Sequence, residues 1–406
     1  MAGKRSLCSQ PGNGTDVHRL ILILCLTAVV TPVLSRAAAI DGPPAEADEF
    51  HFVVLGDAQF HQPATFNRLI DQVRRLRPAF VIQVGDMIEG YNSDLDTVEQ
   101  EWDRFAKQIQ PLEPITYYPV PGNHDVYGDA KVPDRALEQL YAEKFGPLYF
   151  QFSYKNALFL GLNTDSSEGA NAISGAQFDW LKKTLRENRQ PHVFVFMHRP
   201  PNFLQNAEAL HTLFKTHKVA HVFYGHHHHY HFREQDGVKY SMTNAAANSV
   251  NEHPDIGGFR HLLQVSVRGD EVNTAVIEAD AIKPQDIVAP GDNYDFFALD
   301  QRLLPDSVAL QKTGDAFKFA IELNNVSARN VQVFVSCTSA DDRWQIEPAA
   351  RPAFEVTRKT KQRLTYRASY AANRQPESMP ECVFRVPFQT ERGKWLDFTK
   401  TVNTTR

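Results

Sequence analysis

The 406-residue chain has four cysteines, no excess of Lys and Arg over Asp and Glu, no internal repeat, no low-complexity tract and only one apolar run that invites a membrane reading. Each scarcity excludes something. With 43 basic against 48 acidic residues the formal charge is −5. Such a balance gives no electrostatic footprint for nucleic acid or anionic lipid, both of which would call for clustered Lys and Arg. The apolar run, Leu20 to Val30, is broken by Thr27 and closed by Thr31-Pro32. It falls short of the roughly 20 apolar residues that a spanning helix needs. Lys4, Arg5, His18 and Arg19 precede it and Ala37-Ala38-Ala39 follows, which is the anatomy of a secretory signal peptide rather than an anchor. Cys25 lies inside that stretch behind Leu24, where a lipoprotein anchor calls for a small residue. Residues 1–39 are therefore expected to leave a secreted or periplasmic product with no membrane span. Four cations (Lys4, Arg5, Arg19, Arg36) and one anion (Asp16) leave with them, and −5 becomes −8. Cys8 and Cys25 go too, and Cys337 and Cys382 remain for an oxidising compartment. One disulfide is the simplest inference, with two buried free thiols as the alternative.

What remains reads as two folded units, 49–283 and 295–406, behind a short stretch at 40–48 and joined by a Pro/Gly/Asp-rich linker at 284–294. A content of 42% hydrophobic and 22% charged residues suits a folded soluble protein. In the first unit short apolar runs alternate with helical stripes, as in layered α/β proteins. Phe66, Leu69, Ile70, Val73 and Leu76 form one stripe, and Leu95, Val98, Trp102, Phe105, Ile109 and Leu112 another. Leu262 to Val267 and Val272 to Ile277, around Arg268-Gly269-Asp270, predict a hairpin and hence a mixed sheet. After residue 295 the period is two, as in Phe317, Phe319, Ile321 and Leu323, and little helix is expected. A small all-β sandwich fits, with Cys337 and Cys382 on its apolar faces.

Five blocks in the first unit carry metal-ligand chemistry: Gly56-Asp57-Ala58-Gln59, Gly85-Asp86, Gly122-Asn123-His124-Asp125, His198 and Gly225-His226-His227-His228. Each follows an apolar run, so the ligands fall at successive strand ends and can converge. Oxygen and imidazole donors in this number point to two metal ions. Two ions about 3.5 to 4 Å apart activate water and clamp the displacement at an anionic phosphorus. The four-histidine run is too short and too internal to be a tag. His192, His211, His217 and His221 lie outside the blocks and read as ordinary solvated or hydrogen-bonded residues.

In order and composition the blocks resemble the calcineurin-like metallophosphoesterase superfamily, over roughly residues 49–240. The resemblance implies a four-layer αββα sandwich, followed here by an immunoglobulin-like β-sandwich, and two divalent ions (Mn, Fe or Zn). It implies Asp86 as the bridging ligand, Asp57, Gln59 and His228 on one metal, and Asn123, His198 and His226 on the other. His124 is then expected to touch substrate and assist the leaving group, with Asp125 orienting its ring, while metal-bound hydroxide attacks a small phosphorylated substrate. A phosphomonoester is the expected substrate class. A phosphodiesterase or nucleotide hydrolase uses the same core, and a non-catalytic cell-surface binding module is the reading of another class.

Two positions depart from the commonest pattern. Gln59 stands where His often sits, a harder ligand that tilts the site toward Mn²⁺ or Fe²⁺. Glu89 stands where Asp is frequent, and the purple acid phosphatase tyrosine is missing there, Tyr91 lying two residues later. His61 competes with Gln59 as a ligand, Arg199 with solvent as a phosphate contact, and Asn163, Thr164 and Asp165 close another apolar run near the pocket. Alternation is expected to send His226 and His228 to one side and His227 and His229 to the other. Asn325-Val326-Ser327 and Asn403-Thr404-Thr405 are sequons for a glycosylating pathway.

Overall fold

The apolar runs become the strands of two facing sheets. The computed structural model describes residues 49–248, 253–341 and 343–405 and the backbone of Ala38–Ala39. The expected signal peptide, otherwise, and the stretch 40–48 lie outside the described residues. The first part of the chain runs β1 (Glu49–Leu55), α1 (Pro63–Leu76), β2 (Phe80–Val84), α2 (Leu95–Ile109), β3 (Thr116–Val120), α3 (Asn123–Val126) and α4 (Arg135–Phe145). It continues with β4 (Phe150–Tyr154), β5 (Ala157–Leu162), α5 (Gly175–Glu187), β6 (His192–Met197), α6 (Ala207–Thr216), β7 (His221–Tyr224), β8 (His231–Gln235) and β9 (Val238–Met242). Then come β10 (His261–Arg268), β11 (Glu271–Glu278), β12 (Ile282–Pro284) and α7 (Pro290–Arg302).

One sheet has the order β12-β11-β10-β1-β2-β3, and the other β4-β5-β6-β7-β9-β8 with Ala38–Ala39 at the β4 edge. β1, β2 and β3 are parallel, as are β5, β6, β7 and β9. The predicted hairpin is β10–β11, with Val267 opposite Val272. Between the sheets lies a layer of aromatic rings. Phe52 stacks on Phe80 at 5.4 Å and meets Phe159 and Phe194 edge-on at 5.3 and 5.2 Å. Such offset and edge-to-face pairs add to simple burial. Phe66, Leu69, Ile70 and Val73 of α1 and Val98, Trp102 and Phe105 of α2 cover the outer face of the first sheet, while Leu181, Leu185, Leu210 and Phe214 of α5 and α6 cover the second. The result is four layers, helix-sheet-sheet-helix. Leu95 departs from its predicted stripe and is 41% exposed at the first turn of α2.

Beyond α7 the chain is all strand. A five-stranded sheet (307–309, 395–405, 381–389, 331–338, 350–356) faces a four-stranded one (311–313, 316–325, 360–369, 345–347). Cys337 and Cys382 are directly opposed on neighbouring strands of one sheet and joined by a disulfide, with Cα atoms 4.0 Å apart. Two local expectations change. The predicted linker 284–294 holds the end of β12 and the start of α7, whose Pro290 occupies a first-turn position where the missing N–H costs nothing. The Asn325 sequon is blocked, because its fully buried amide donates to the carbonyls of Arg329 and Val356 at 2.8 and 3.0 Å.

Candidate metal centre

β1, β2, β3, β6 and β7 all end at one edge of the facing sheets, and each of the five blocks follows one of those ends. The backbone there is unusual. Of the seven predicted ligands five have positive φ: Asp57 at 52°, Gln59 at 41°, Asp86 at 51°, His226 at 78° and His228 at 56°. Non-glycine residues adopt that region at a cost and cluster at functional sites. The surrounding chain compensates. Asp57 and Ala58 donate to the carbonyls of Gly85 and Asp86 at 3.1 and 2.8 Å. The glycines in the blocks make room, since a Cβ on Gly225 falls 2.3 Å from Asp57 Oδ2 and one on Gly122 falls 2.3 Å from Asp86 Oδ1.

Two ligand groups result, Asp86 with His198 and His226, and Asp57 with Asp86 and His228, and they share the Asp86 carboxylate. Asp86 Oδ2 lies 3.2 Å from His198 Nε2 and 3.3 Å from Gln59 Nε2. His198 Nε2 is 3.0 Å from Asn123 Oδ1 and 3.1 Å from His226 Nδ1. His228 Nε2 is 3.7 Å from Asp57 Oδ1. All seven predicted ligands thus converge. The outward nitrogens have partners of their own: His198 Nδ1 donates to the Val84 carbonyl at 3.0 Å and His228 Nδ1 to the Asn248 carbonyl at 3.0 Å. Those bonds turn both Nε2 atoms inward, the orientation that metal-binding imidazoles require.

Two observations show that the donor set fits metal. Asp57 Oδ2 and Gln59 Oε1 are buried and have no hydrogen-bond partner among the described residues. A buried, unpartnered oxygen is costly unless a cation satisfies it. The charges agree. Burial pushes the Asp57 carboxyl well above its usual range, with Asp86 adding to the rise. His198, although burial opposes its charge, is raised to about 10 by Asp86. The buried acids thus favour positive charge beside them, which is the compensation a divalent ion would supply. Burial lowers His226 well below its ordinary value and His228 to about 4, so both are neutral donors at pH 7.

The predicted role of Asp125 changes. Its carboxylate accepts the backbone N–H groups of Gly122, Asp86 and Met87 at 2.8, 2.9 and 2.9 Å, so it fixes the loop that carries the bridge. The His124 ring is instead set by the Glu89 carbonyl, which accepts its Nδ1–H at 2.5 Å. His124 Nε2 stands 4.0 Å from Asp86 Oδ2. A main-chain carbonyl has no identity in a sequence, so this partner left no motif to read. His61 sits apart from both ligand groups, 3.4 Å from the Glu89 carboxylate. His226 to His229 lie beyond the end of β7, so the division of their side chains comes from left-handed φ at His226 and His228 and not from a strand pleat. His227 and His229 turn away, their rings 5.5 and 6.1 Å from that of Phe297.

Sequence reasoning missed Tyr91 as part of the site. Its hydroxyl accepts the Asn123 Nδ2 N–H at 2.6 Å, which leaves the Asn123 oxygen for the cluster, and its ring lies 4.4 Å from that of His124. The groove between α5 and α6, lined by Phe178, Lys182 and Leu213, holds none of the ligand residues.

Residues 50–230 match the family model for calcineurin-like phosphoesterases. The chain thus contains a calcineurin-like metallophosphoesterase domain. No curated protein sequence matches the chain. Similar solved structures include a dimetal phosphatase from Danio rerio, 17% identical with a TM-score of 0.43, covering 58% of this chain and 98% of that one. PhoD is 12% identical with a TM-score of 0.49 over 60% of this chain and 70% of its own. A purple acid phosphatase from yellow lupin seeds is 17% identical with a TM-score of 0.44, over 58% of this chain and 52% of that one.

Proposed function

We propose that the protein is an exported dinuclear-metal phosphoesterase that hydrolyses a phosphomonoester. Residues 49–283 form its catalytic domain, residues 295–406 an immunoglobulin-like accessory sandwich, and 1–39 the leader. The observation that carries the reading is the pair of ligand groups sharing Asp86, together with buried, unpartnered oxygens on Asp57 and on Gln59, whose side chain contacts the Asp86 carboxylate. Asp57, Gln59 and His228 would hold one ion, Asn123, His198 and His226 the other, and Asp86 would contribute to both. Two divalent ions, when bound, polarise the phosphoryl group and make water nucleophilic at neutral pH.

The chain's own residues do the rest. His124, its Nδ1–H fixed on the Glu89 carbonyl, presents Nε2 toward the bridging carboxylate and delivers a proton to the leaving oxygen. Asp125 keeps the Asp86 backbone from shifting as charge builds at the centre. A monoester is favoured because this arrangement asks nothing further of the substrate than a phosphoryl group and one leaving oxygen.

The test is turnover of a chromogenic phosphomonoester and of its diester counterpart by the chelated chain after Mn²⁺, Fe²⁺ or Zn²⁺ is restored. Metal-restored turnover of the monoester, lost by a hundredfold or more in Asp86→Asn, is expected. Preference for the diester moves the substrate class, and no turnover together with an absence of bound metal supports a binding module instead.

A further inference from the structure

Arg199, next to His198, has a setting that the fold does not require. Its backbone N–H donates to Thr164 Oγ1 at 3.2 Å, and its Nε donates to Asp165 Oδ1 at 2.6 Å. Asp165 is fully buried and braced from behind. Thr164 Oγ1 donates to its other oxygen at 2.7 Å, and its own N–H donates to Asn163 Oδ1 at 2.9 Å. Asn163 in turn exchanges hydrogen bonds with Gln177 of α5 at 2.8 and 2.9 Å. An ion pair so enclosed contributes little to stability compared with apolar residues of the same volume. This one aims its cation, 16% exposed, at the ligand cluster. Nη2 reaches the Tyr127 hydroxyl at 3.4 Å, and Nη1 lies 3.0 Å from His226 Nε2.

The Nη1 contact is conditional. It needs His226 Nε2 as an acceptor, because a guanidinium has no lone pair to offer in return. An ion held through Nδ1 would leave the proton of the neutral ring on Nε2. Two N–H groups would then face each other, and Nη1 would turn away while Nε stays on Asp165. The guanidinium is left anchored at one corner with a free donor edge beside the metal ligands, a geometry that suits an anionic oxygen. Tyr127 and Tyr91, with ring centroids 6.1 Å apart, continue the wall from Arg199 to His124.

The geometry points to Arg199 as the side chain that binds the phosphoryl group, with Asp165 as its positioning residue and His226 as the contact it exchanges for the anion. The inference rests on the phosphoesterase reading and adds a specificity element to it. It is tested on the full chain by three readouts: Mn²⁺ binding to the chelated protein, inorganic phosphate binding to the Mn²⁺-loaded protein by calorimetry, and the division between kcat and KM.

In Arg199→Met, phosphate binding is expected to weaken by roughly tenfold or more, and KM to rise more than kcat falls. Arg199→Lys recovers only part of the loss, because a point charge lacks the fork. Mn²⁺ binding is expected to stay at the wild-type level or tighten, since a neighbouring positive charge is gone. Asp165→Asn, which frees the guanidinium, gives a smaller loss in the same direction. Phosphate binding by Arg199→Met within twofold of wild type overturns the assignment, as does an equal loss of Mn²⁺, the mark of a merely structural role. A wild-type chain that holds Mn²⁺ but binds no phosphate sinks the phosphoesterase reading along with this one. Normal wild-type turnover with Arg199→Met unaffected sinks this one alone.

Discussion

Asn123 can present oxygen or nitrogen to the cluster, and Tyr91 decides which. Its hydroxyl takes the Asn123 amide N–H at 2.6 Å, so the oxygen faces His198. Tyr91→Phe removes that acceptor and leaves a buried amide free to rotate. Partners of this kind are worth 10 to 100-fold in metal affinity. An increase of about tenfold in the Mn²⁺ concentration needed for half-saturation is expected, with the fold intact by circular dichroism. Unchanged Mn²⁺ binding refutes the orienting role. The predicted ligands were legible because their residue types are rare together and their glycines have steric causes. Tyr91 was not, because a tyrosine in a loop carries no sign of what its hydroxyl meets. Arg199 was visible beside His198, but only the buried chain Gln177–Asn163–Asp165 shows that its charge is aimed.

Among elements, α7 is where reading and structure part most. Pro, Gly and Asp around residue 290 look like a linker, and a helix buried on two sides has no polar stripe to betray it. Phe296, Leu299 and Leu303 enter the sandwich core, while Phe297 packs against His227 and His229. Tyr294 lies 4.4 Å from His231, and Asn293 donates to the Ile256 carbonyl at 2.6 Å. Arg329 of the sandwich grips the helix through Asp292 and Asp295 at 2.6 and 2.8 Å. The central strands were readable as unbroken apolar runs, buried on both faces, and the first two helices because each has one apolar stripe. α7 joins the sandwich to the back of the loop that carries His226 and His228. Phe297→Ala removes the ring on which that loop rests. We expect Mn²⁺ affinity to fall several-fold, by roughly the outer-shell range, with the far-UV spectrum unchanged. A variant that binds Mn²⁺ like wild type shows that the loop holds its shape without α7.

For the molecule as a whole, histidines away from the ligand cluster set its response to acid. His221, His231 and His261 are all fully buried. Burial lowers His221 well below its ordinary pKa, His231 to about 3 and His261 to about 4. For His261 two backbone carbonyls oppose that effect without cancelling it. A histidine depressed in the folded state is neutral there while its unfolded counterpart takes up a proton near pH 6.5. The associated stability is present in full above pH 6.5 and is lost as pH falls from there toward 3. The metal-free chain should accordingly lose stability over that window, and these three sites together contribute uptake of about three protons on unfolding. His221 offers the cleanest check, because its Nε2 bonds Ser241 Oγ at 2.8 Å and a glutamine can reach the same hydroxyl without titrating. Urea unfolding of wild type and His221→Gln at pH 7, 6, 5 and 4.5 separates the two slopes. His221→Gln should lower the slope of stability against pH by about one proton, roughly 1.4 kcal/mol per pH unit. Parallel slopes would mean that His221 accepts its proton without unfolding, and that acid loss in this protein has another origin.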